Sequence, residues 1–440
     1  MSSKSTAETI VVGGGSAGCV IAGRLAAAGK DVLLIEAGPD YGPFGHKDWP
    51  TELVDARMLA TTHDWQYRGG RWEFQRAQVI GGCSSHNGAI AAVGHRKDYD
   101  NWQLPGWTGD DVAPLFADVI NKMRVRTYLR EEAGPFHARC LDAAEALGWK
   151  MANDLCDLDA NDAFGLETVN IVDTTRWNTA FAYLDSTRDR DNLTIVDRVL
   201  VDKIVEDSGG VSVFGRRDNE SLNFECQTLV LAAGVYGTPQ ILQRSGVGDA
   251  NLLRELEISP ILVSPNVGEN LHDHPMCHAD RKVGPELQAW LDDAAAKGFL
   301  PEEQTLGKAI SSQSEDGLYD LHVFPVCASD QTSFLHGRVH VEVACMTPQS
   351  RGFIRITDKD PKALPLIDHR YLTDPEDHDI RVMADGLKMA EAMLDHPVLA
   401  DILGEPISDT ADWKAIREQV EHYYHPVGTC RMGLDDSAVC

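Results

Sequence analysis

With 440 residues the chain is long enough for two sizeable domains or one large composite one. Its composition, 43% hydrophobic and 25% charged, is ordinary for a globular protein, and a formal net charge of −28 argues against nucleic acid or an anionic membrane surface as a partner. The polar start MSSKSTAETI lacks the apolar core of a signal peptide, and no run approaches the roughly 18 apolar residues of a membrane helix. Ten cysteines scattered from Cys19 to Cys440, with no CxxC pair, read as reduced thiols of a cytoplasmic protein.

Glu8 to Gly13 (ETIVVG) reads as a short apolar strand, followed by the GxGxxG spacing in Gly13-Gly14-Gly15-Ser16-Ala17-Gly18. Ser16 to Ala28 is rich in small helix formers and ends at Gly29, and Asp31 to Glu36 (DVLLIE) is a second strand. This is a complete βαβ unit, the context that a dinucleotide site requires. Gly13 allows the tight turn, Gly15 lets backbone approach a pyrophosphate, and Gly18 lets helix pack on strand. The helix N-terminus offers free N–H groups to phosphate. Glu36, 18 residues after Gly18, can accept hydrogen bonds from ribose hydroxyls and disfavours a 2′-phosphate, hence NADP. The motif does not choose between NAD and FAD; its place at the extreme N-terminus leans to FAD.

Val79-Ile80-Gly81-Gly82 then precedes Cys83-Ser84-Ser85-His86-Asn87-Gly88. Adjacent glycines followed by small hydroxyl residues let a backbone lie close against a ring or a phosphate; a glycine turn with a buried, satisfied histidine is the plain alternative. Leu193 to Val201 is strand-like. Leu229 to Leu231 reads as a buried strand ending at Ala232-Ala233-Gly234, after which Thr238 can cap a helix with Pro239 at its first position and Gly246 at its close. Arg281 to Leu318 is polar and charged, and reads as solvated loop and helix. Val339 to Met346 and Gly352 to Thr357 fit an antiparallel sheet, and Glu376 to Met393 has the periodicity of a helix on its outside. His272, His274 and His278 have a spacing that suggests metal, but no metal is expected there, and no nucleophile-elbow GxSxG occurs. His425 precedes Pro-Val-Gly-Thr-Cys-Arg-Met-Gly, and histidine suits proton transfer near neutral pH.

From about Glu8 to Gly433 the chain resembles the glucose–methanol–choline (GMC) oxidoreductases. The likeness rests on four motifs in order: Arg76 through Asn101 around GGCSSHN; GVYGTPQILQRSGVG from Gly234 to Gly248; VGENLHDH from Val267 to His274; and HPVGTCRMG from His425 to Gly433. The resemblance implies an α/β protein in which a Rossmann-like FAD-binding domain is interleaved with an antiparallel-sheet substrate domain. Residues 1–146, 185–275 and 422–440 would build the first, residues 147–184 and 276–421 the second.

The same likeness implies that FAD is held by Gly13, Gly15, Ser16, Ala17, Gly18, Glu36 and Ala37, by Trp65, Arg76 and Val79, and by Gly81, Gly82, Ser84, His86, Asn87, Gly88 and Ala89. Val199 would lie against the adenine, and Ala233 and Gly234 would complete the contacts. Most of the family has an aliphatic residue where His86 stands. Its choline-oxidase-like members carry histidine in a near-identical context and attach FAD through it, so His86 is expected to form an 8α-histidyl bond that raises the flavin's potential. Asn87 would hydrogen-bond near the reactive face. Gly88 stands where those members have serine, which weakens the case for choline.

By the same resemblance the catalytic residues are His425, taking the hydroxyl proton as hydride goes to flavin N5, and Asn87. Tyr423 and Tyr424 adjoin His425 and would line the substrate pocket. With Trp65 and Trp102 they could supply an aromatic cage, though a sugar, a polyol or an aromatic alcohol is equally compatible. Electrons would pass to O2 or another acceptor. In the family several dozen residues follow the HPVGTCRMG motif and supply a last strand and a second catalytic residue. The chain ending at Cys440 is therefore expected to be a fragment completed by a further segment or second chain, an inactive product, or an enzyme with a local substitute. A non-redox flavin-binding lyase on the same scaffold is the rival activity.

Overall fold

The computed structural model describes residues 5–298, 303–328, 336–407 and 412–440. The N-terminal unit forms as its sequence dictates: β1 (Thr6–Val12), α1 (Ser16–Ala27) and β2 (Val32–Ile35). Every residue of β2 is buried, as expected for a parallel strand covered on both faces. Ala28 ends the helix, and Gly29 follows in the left-handed region with φ +82°.

Four later strands join this unit: β3 (Leu193–Val196), β4 (Leu200–Asp207), β5 (Gly210–Arg217) and β6 (Glu220–Leu231). The sheet order is β3-β2-β1-β6-β5-β4. Its first three pairings are parallel and the rest antiparallel. The run Leu193 to Val201, expected as one strand, is split. After β3 the chain turns at Arg198 (φ +55°), and the N–H groups of Arg198 and Val199 donate to the carbonyls of Gly38 and Glu36. The chain thus leaves one edge of the sheet and re-enters at the other. Leu229 to Leu231 are half-buried rather than buried, being the end of a long strand that began as a surface hairpin.

The helix after β6 also starts elsewhere than expected. Gly234, at φ +80°, turns strand directly into α2 (Gly234–Arg244), so Thr238 and Pro239 lie inside the helix and cap nothing. Ser245 and then Gly246, at φ +89°, close it as anticipated.

The second sheet is eight-stranded. Its centre is β7 (Pro275–Val283), β8 (Thr305–Ala309), β9 (Leu321–Cys327) and β10 (Arg338–Cys345), in the order β7-β10-β9-β8. Strands Leu403–Pro406 and Glu421–His422 pair with β7, while Ala163–Leu166 and Lys150–Ala152 extend the β8 side. α3 (His378–Leu394) covers one face, where Cys277, Ala279, Val341 and Val343 share a core with Ile380, Met383 and Leu387. The alternate residues Met276, Phe324 and Ala344 face the other way and pack with Tyr423.

Two expectations for this half are corrected. Gly352 to Thr357 is not part of the large sheet; Phe353–Arg355 pairs only with Leu366–Asp368. A Cβ at Gly352 would stand 1.9 Å from the Asp368 carbonyl oxygen, and this close approach holds the small hairpin. Arg281 to Leu318 is not all solvated loop and helix. A helix does form at Pro285–Ala296, but Arg281 is buried in β7, bonded to Glu391 and Asp395, and β8 is buried throughout. Residues 299–302 of that stretch lie outside the described residues. No helix among the described residues is long and apolar enough to cross a membrane.

Candidate active site

Three glycine segments far apart in sequence meet at the C-terminal ends of β1 and β6. Gly13 (φ +98°) turns so tightly that a Cβ there would lie 2.4 Å from the Ala232 carbonyl oxygen, and one on Gly18 would lie 1.8 Å from that of Gly13. Gly81 donates its N–H to the Gly14 carbonyl at 2.7 Å, and a Cβ on Gly82 would lie 2.6 Å from the Gly15 Cα. The nucleotide loop and the GGCSSHN turn are therefore in backbone contact. Gly15 and Gly234 are open by comparison: the nearest atom to a Gly15 Cβ is at 3.8 Å, and none lies within 4 Å at Gly234. Ser16 and Ala17 are exposed in the first turn of α1, with Ala233 half-buried at the start of α2.

An accessible N-terminus on a twelve-residue helix, reached over a Cβ-free loop, fits a pyrophosphate. Glu36 follows β2 and fixes that loop, its carboxylate oxygens accepting the N–H groups of Gly14 and Gly38, each at 2.7 Å. Burial raises its pKa to about 7 against the opposing effect of those amides. Ala37 and Trp65 border a recess of about 330 Å³, together with Arg198 and Leu200 on either side of the buried Val199.

The GGCSSHN segment is a short 3₁₀ turn, Gly82–Ser85, entered through Gly81 at φ +86°. Ser84 turns inward: its hydroxyl donates to the Gly81 carbonyl at 2.6 Å and meets Thr179. Val79 is wholly buried in the core. His86 ends the turn half-buried. Burial pushes the Cys83 thiol up, but a hydrogen bond to His86 and the charge of Arg76 outweigh it and bring its pKa to about 6. Asn87 and Gly88 are exposed, and the Asn87 side-chain oxygen accepts the N–H of Ala89 at 3.2 Å. Ala89, buried, sits at φ +60°. Arg176, buried to 1% exposure, donates to the carbonyls of Asn87, Glu52, Leu53 and Met58 and so fixes this loop from behind.

His425 stands opposite. Its backbone N–H and that of His274 both donate to one oxygen of the Asp273 carboxylate, at 2.9 and 2.8 Å. Tyr371 donates to the other oxygen at 3.3 Å. Burial raises Asp273 to about 6, opposed by Arg76 and these donors. The His425 ring lies 4.6 Å from that of Tyr423 and 5.7 Å from that of His274. His425 is exposed as a residue, yet desolvation by the protein around its ring and the charge of Arg76 lower its pKa to about 4. His425 is therefore neutral at physiological pH and able to accept a proton. His274 meets the Cys345 carbonyl through Nδ1 at 3.1 Å; a carbonyl only accepts, so the proton of His274 is on Nδ1. Arg76 ties the two halves together, donating to the Tyr424 carbonyl at 2.9 Å with its other terminal nitrogen 3.8 Å from the Cys83 sulfur.

Of the two tyrosines, Tyr423 is the more enclosed, stacked on Phe324 and 3.3 Å from His322 Nδ1, whereas Tyr424 is half-exposed against His422. The four-ring cage is not assembled. Trp65 stacks on Tyr67, and Trp102 joins Tyr99 and Trp107 at the surface. His272 points its Nδ1 at the Asn270 carbonyl. Sequence reasoning assigned no individual role to Asp273, His274, His322 or Arg176, although the first two lie in the VGENLHDH motif, a stretch expected only as a structural loop near the cofactor. The carboxylate between two histidines in HDHP was a visible signal for the first two; His322 and Arg176 come from distant elements and carry no local signature.

The sequence model of the GMC oxidoreductase family matches residues 7–276, and that of its C-terminal part matches residues 348–440. Choline oxidase of Arthrobacter globiformis is 30% identical over 97% of this chain and 84% of its own length. The oxygen-dependent choline dehydrogenase of Paraburkholderia phytofirmans is 30% identical over 98% and 86%. Among solved structures, pyridoxine 4-oxidase from Mesorbium loti superposes with a TM-score of 0.84 at 22% identity, covering 98% of this chain and 90% of that one. A fungal aryl-alcohol oxidase superposes at 0.75 and 18% identity, covering 99% and 91%. The nucleotide loop is in backbone contact with the GGCSSHN turn, and Arg76 joins that turn to the chain entering the HPVGTCRMG loop; with these comparisons, the chain belongs to the GMC oxidoreductase family and is an FAD-dependent oxidoreductase of alcohols.

Proposed function

We propose that this enzyme oxidises a small alcohol with His425 as the base that takes the hydroxyl proton, and passes the electrons to O2. FAD, when bound, supplies the hydride acceptor. What carries the reading is the clamp on Asp273: one carboxylate oxygen fixes the backbone of both His425 and His274, and holds a neutral imidazole 4.6 Å from the Tyr423 ring. Arg76 spans from the GGCSSHN turn to that loop and sets their spacing. Asn87, exposed beside the turn, meets the substrate oxygen or the ring in this reading. Tyr423, Phe324 and Met276 give the pocket wall an apolar character suited to the carbon part of the alcohol. His86 is the residue through which the cofactor is covalently held. Two relatives with oxygen-linked names support O2 as acceptor, and ten free thiols suit a reducing cytoplasm.

The test is anaerobic mixing of the yellow protein with a panel of choline, benzyl alcohol and pyridoxine. Bleaching by at least one alcohol is expected, slowed at least about 100-fold in His425→Gln at an unchanged flavin content. An unchanged bleaching rate in that variant would remove His425 as the base. No bleaching by any alcohol would favour a non-redox lyase.

A further inference from the structure

We propose that the β7–β10 strand pair holds a divalent transition-metal ion of the zinc class, bound by His278, Asp280 and His340. The two strands run antiparallel with His278 opposite Glu342 and Asp280 opposite His340. Alternate residues of a strand share a face, so these four side chains form one square patch, on the side of the sheet away from α3. One ligand atom from each of His278, Asp280 and His340 lies within 4.8 Å of the others. The two imidazoles stand parallel, with centroids 4.0 Å apart and planes 11° from each other.

Zinc ligands at bonds of about 2.0–2.2 Å stand roughly 3.3 Å apart in a tetrahedron. Converging on one ion requires at least one of the two imidazoles to rotate out of the stack, on strands already hydrogen-bonded in register. Glu342 lies on the same face, 3.9 Å from His340 Nδ1. Two imidazoles and carboxylate oxygen are a borderline donor set, suited to zinc, nickel or cobalt rather than to calcium or magnesium. Asp280 is 2% and His340 1% exposed, so two of the three ligands lie out of bulk solvent. Arg338 lies 3.8 Å from Asp280, but its side chain is 39% exposed and can swing to solvent when the ion enters.

The patch is separate from the alcohol-oxidising centre. Met276 and Ala344, which pack with Tyr423, occupy the neighbouring position along the same ladder, and two residues of strand amount to about 7 Å. The ion would therefore brace the wall of the substrate chamber and touch neither the substrate carbon nor the cofactor. A second group, Cys345, His378 and Asp379, is the weaker candidate because the Asp379 carboxylate already accepts the N–H groups of Gln349 and Ser350.

The experiment is calorimetric titration of Zn²⁺ into EDTA-treated, dialysed flavoprotein, with flavin absorbance as the check on folding. One equivalent is expected to bind. His278→Ala and Asp280→Asn should each weaken binding at least about tenfold, and Co²⁺ should give a visible band that both variants lose. His378→Gln should bind as the parent does. The half-buried His278 makes the first variant the safer to fold. No Zn²⁺ binding to the parent up to millimolar concentration, or equal binding by both His278→Ala and Asp280→Asn, would overturn the site. Neither result bears on alcohol oxidation, which is read from bleaching.

Discussion

The Thr429 hydroxyl donates to the Val235 carbonyl at 2.6 Å. In a regular helix that carbonyl would accept from residue 239, which here is Pro239 and has no N–H. The HPVGTCRMG loop thus supplies the donor that α2 lacks, and the Thr429 carbonyl in turn accepts the N–H of Gly268 at 2.8 Å. The imperfection in the helix is the place where the His425 loop is anchored.

Thr429→Val keeps the shape and removes the donor. An unpaired carbonyl costs about 1–3 kcal/mol when fully buried and less at this partly buried one, so the urea midpoint should fall. Since His425 is four residues away on the same loop, kcat should drop more than KM rises. Thr429→Ser should restore both. A valine variant with unchanged stability and unchanged kcat would show that the bond positions nothing.

The glycines of the nucleotide loop should separate into two kinds. Gly18→Ala puts a Cβ 1.8 Å from the Gly13 carbonyl oxygen, a backbone atom that cannot yield. That substitution should cost at least about 2 kcal/mol and deplete bound flavin. Gly15→Ala meets nothing closer than 3.8 Å and its backbone is extended, so the fold should keep its melting temperature. Its methyl group would instead stand where a pyrophosphate approaches, lowering the ratio of flavin to protein absorbance. Equal melting temperatures for the two variants would contradict this division.

The contrast between these residues shows what the sequence could carry. β1, α1, β2 and Glu36 were legible because each is set by neighbours within a few residues: an apolar run, a glycine turn, a helix stop. The break at Arg198 was not. It depends on carbonyls of Glu36 and Gly38, which are distant in sequence. The start of α2 was misread for a related reason. A Thr-Pro pair is a sound helix-start signal in isolation, and a positive φ at Gly234 overrides it. Within the site, motif positions such as His425 and Gly81 could be read, but His322 and Arg176 reach it only through the tertiary fold.

His86 closes a 3₁₀ turn packed on the nucleotide loop and is the proposed point of covalent attachment. Acid precipitation of the parent protein should therefore leave the yellow colour in the pellet. In His86→Ala it should move to the supernatant, and the flavin potential should fall. Colour released from the parent would dispose of the covalent link and leave the family assignment untouched.

His369 provides a pH-dependent test of the buried core. It is 2% exposed, 2.8 Å from the Tyr236 hydroxyl through Nε2, and stacked on Tyr371. Burial first, then the nearby His422 and Arg76, holds its pKa down to about 3. The unfolded chain has the ordinary value of about 6.5, so on acidification the unfolded state takes up the proton before the folded state does. The stability conferred by a neutral His369 is thus complete above about pH 6.5 and is lost progressively as pH falls towards 3; at pH 5 the loss is about 2 kcal/mol. His369→Gln can still meet the tyrosine hydroxyl but does not titrate. At pH 7.5 it should be less stable than the parent by about 1–2 kcal/mol. At pH 5 the two should be nearly equal. Because both proteins share every other titrating group, including Glu36 and Asp273 with their opposite dependence, the difference isolates this one ring. A gap of the same size at both pH values would mean that His369 is not held neutral by its surroundings.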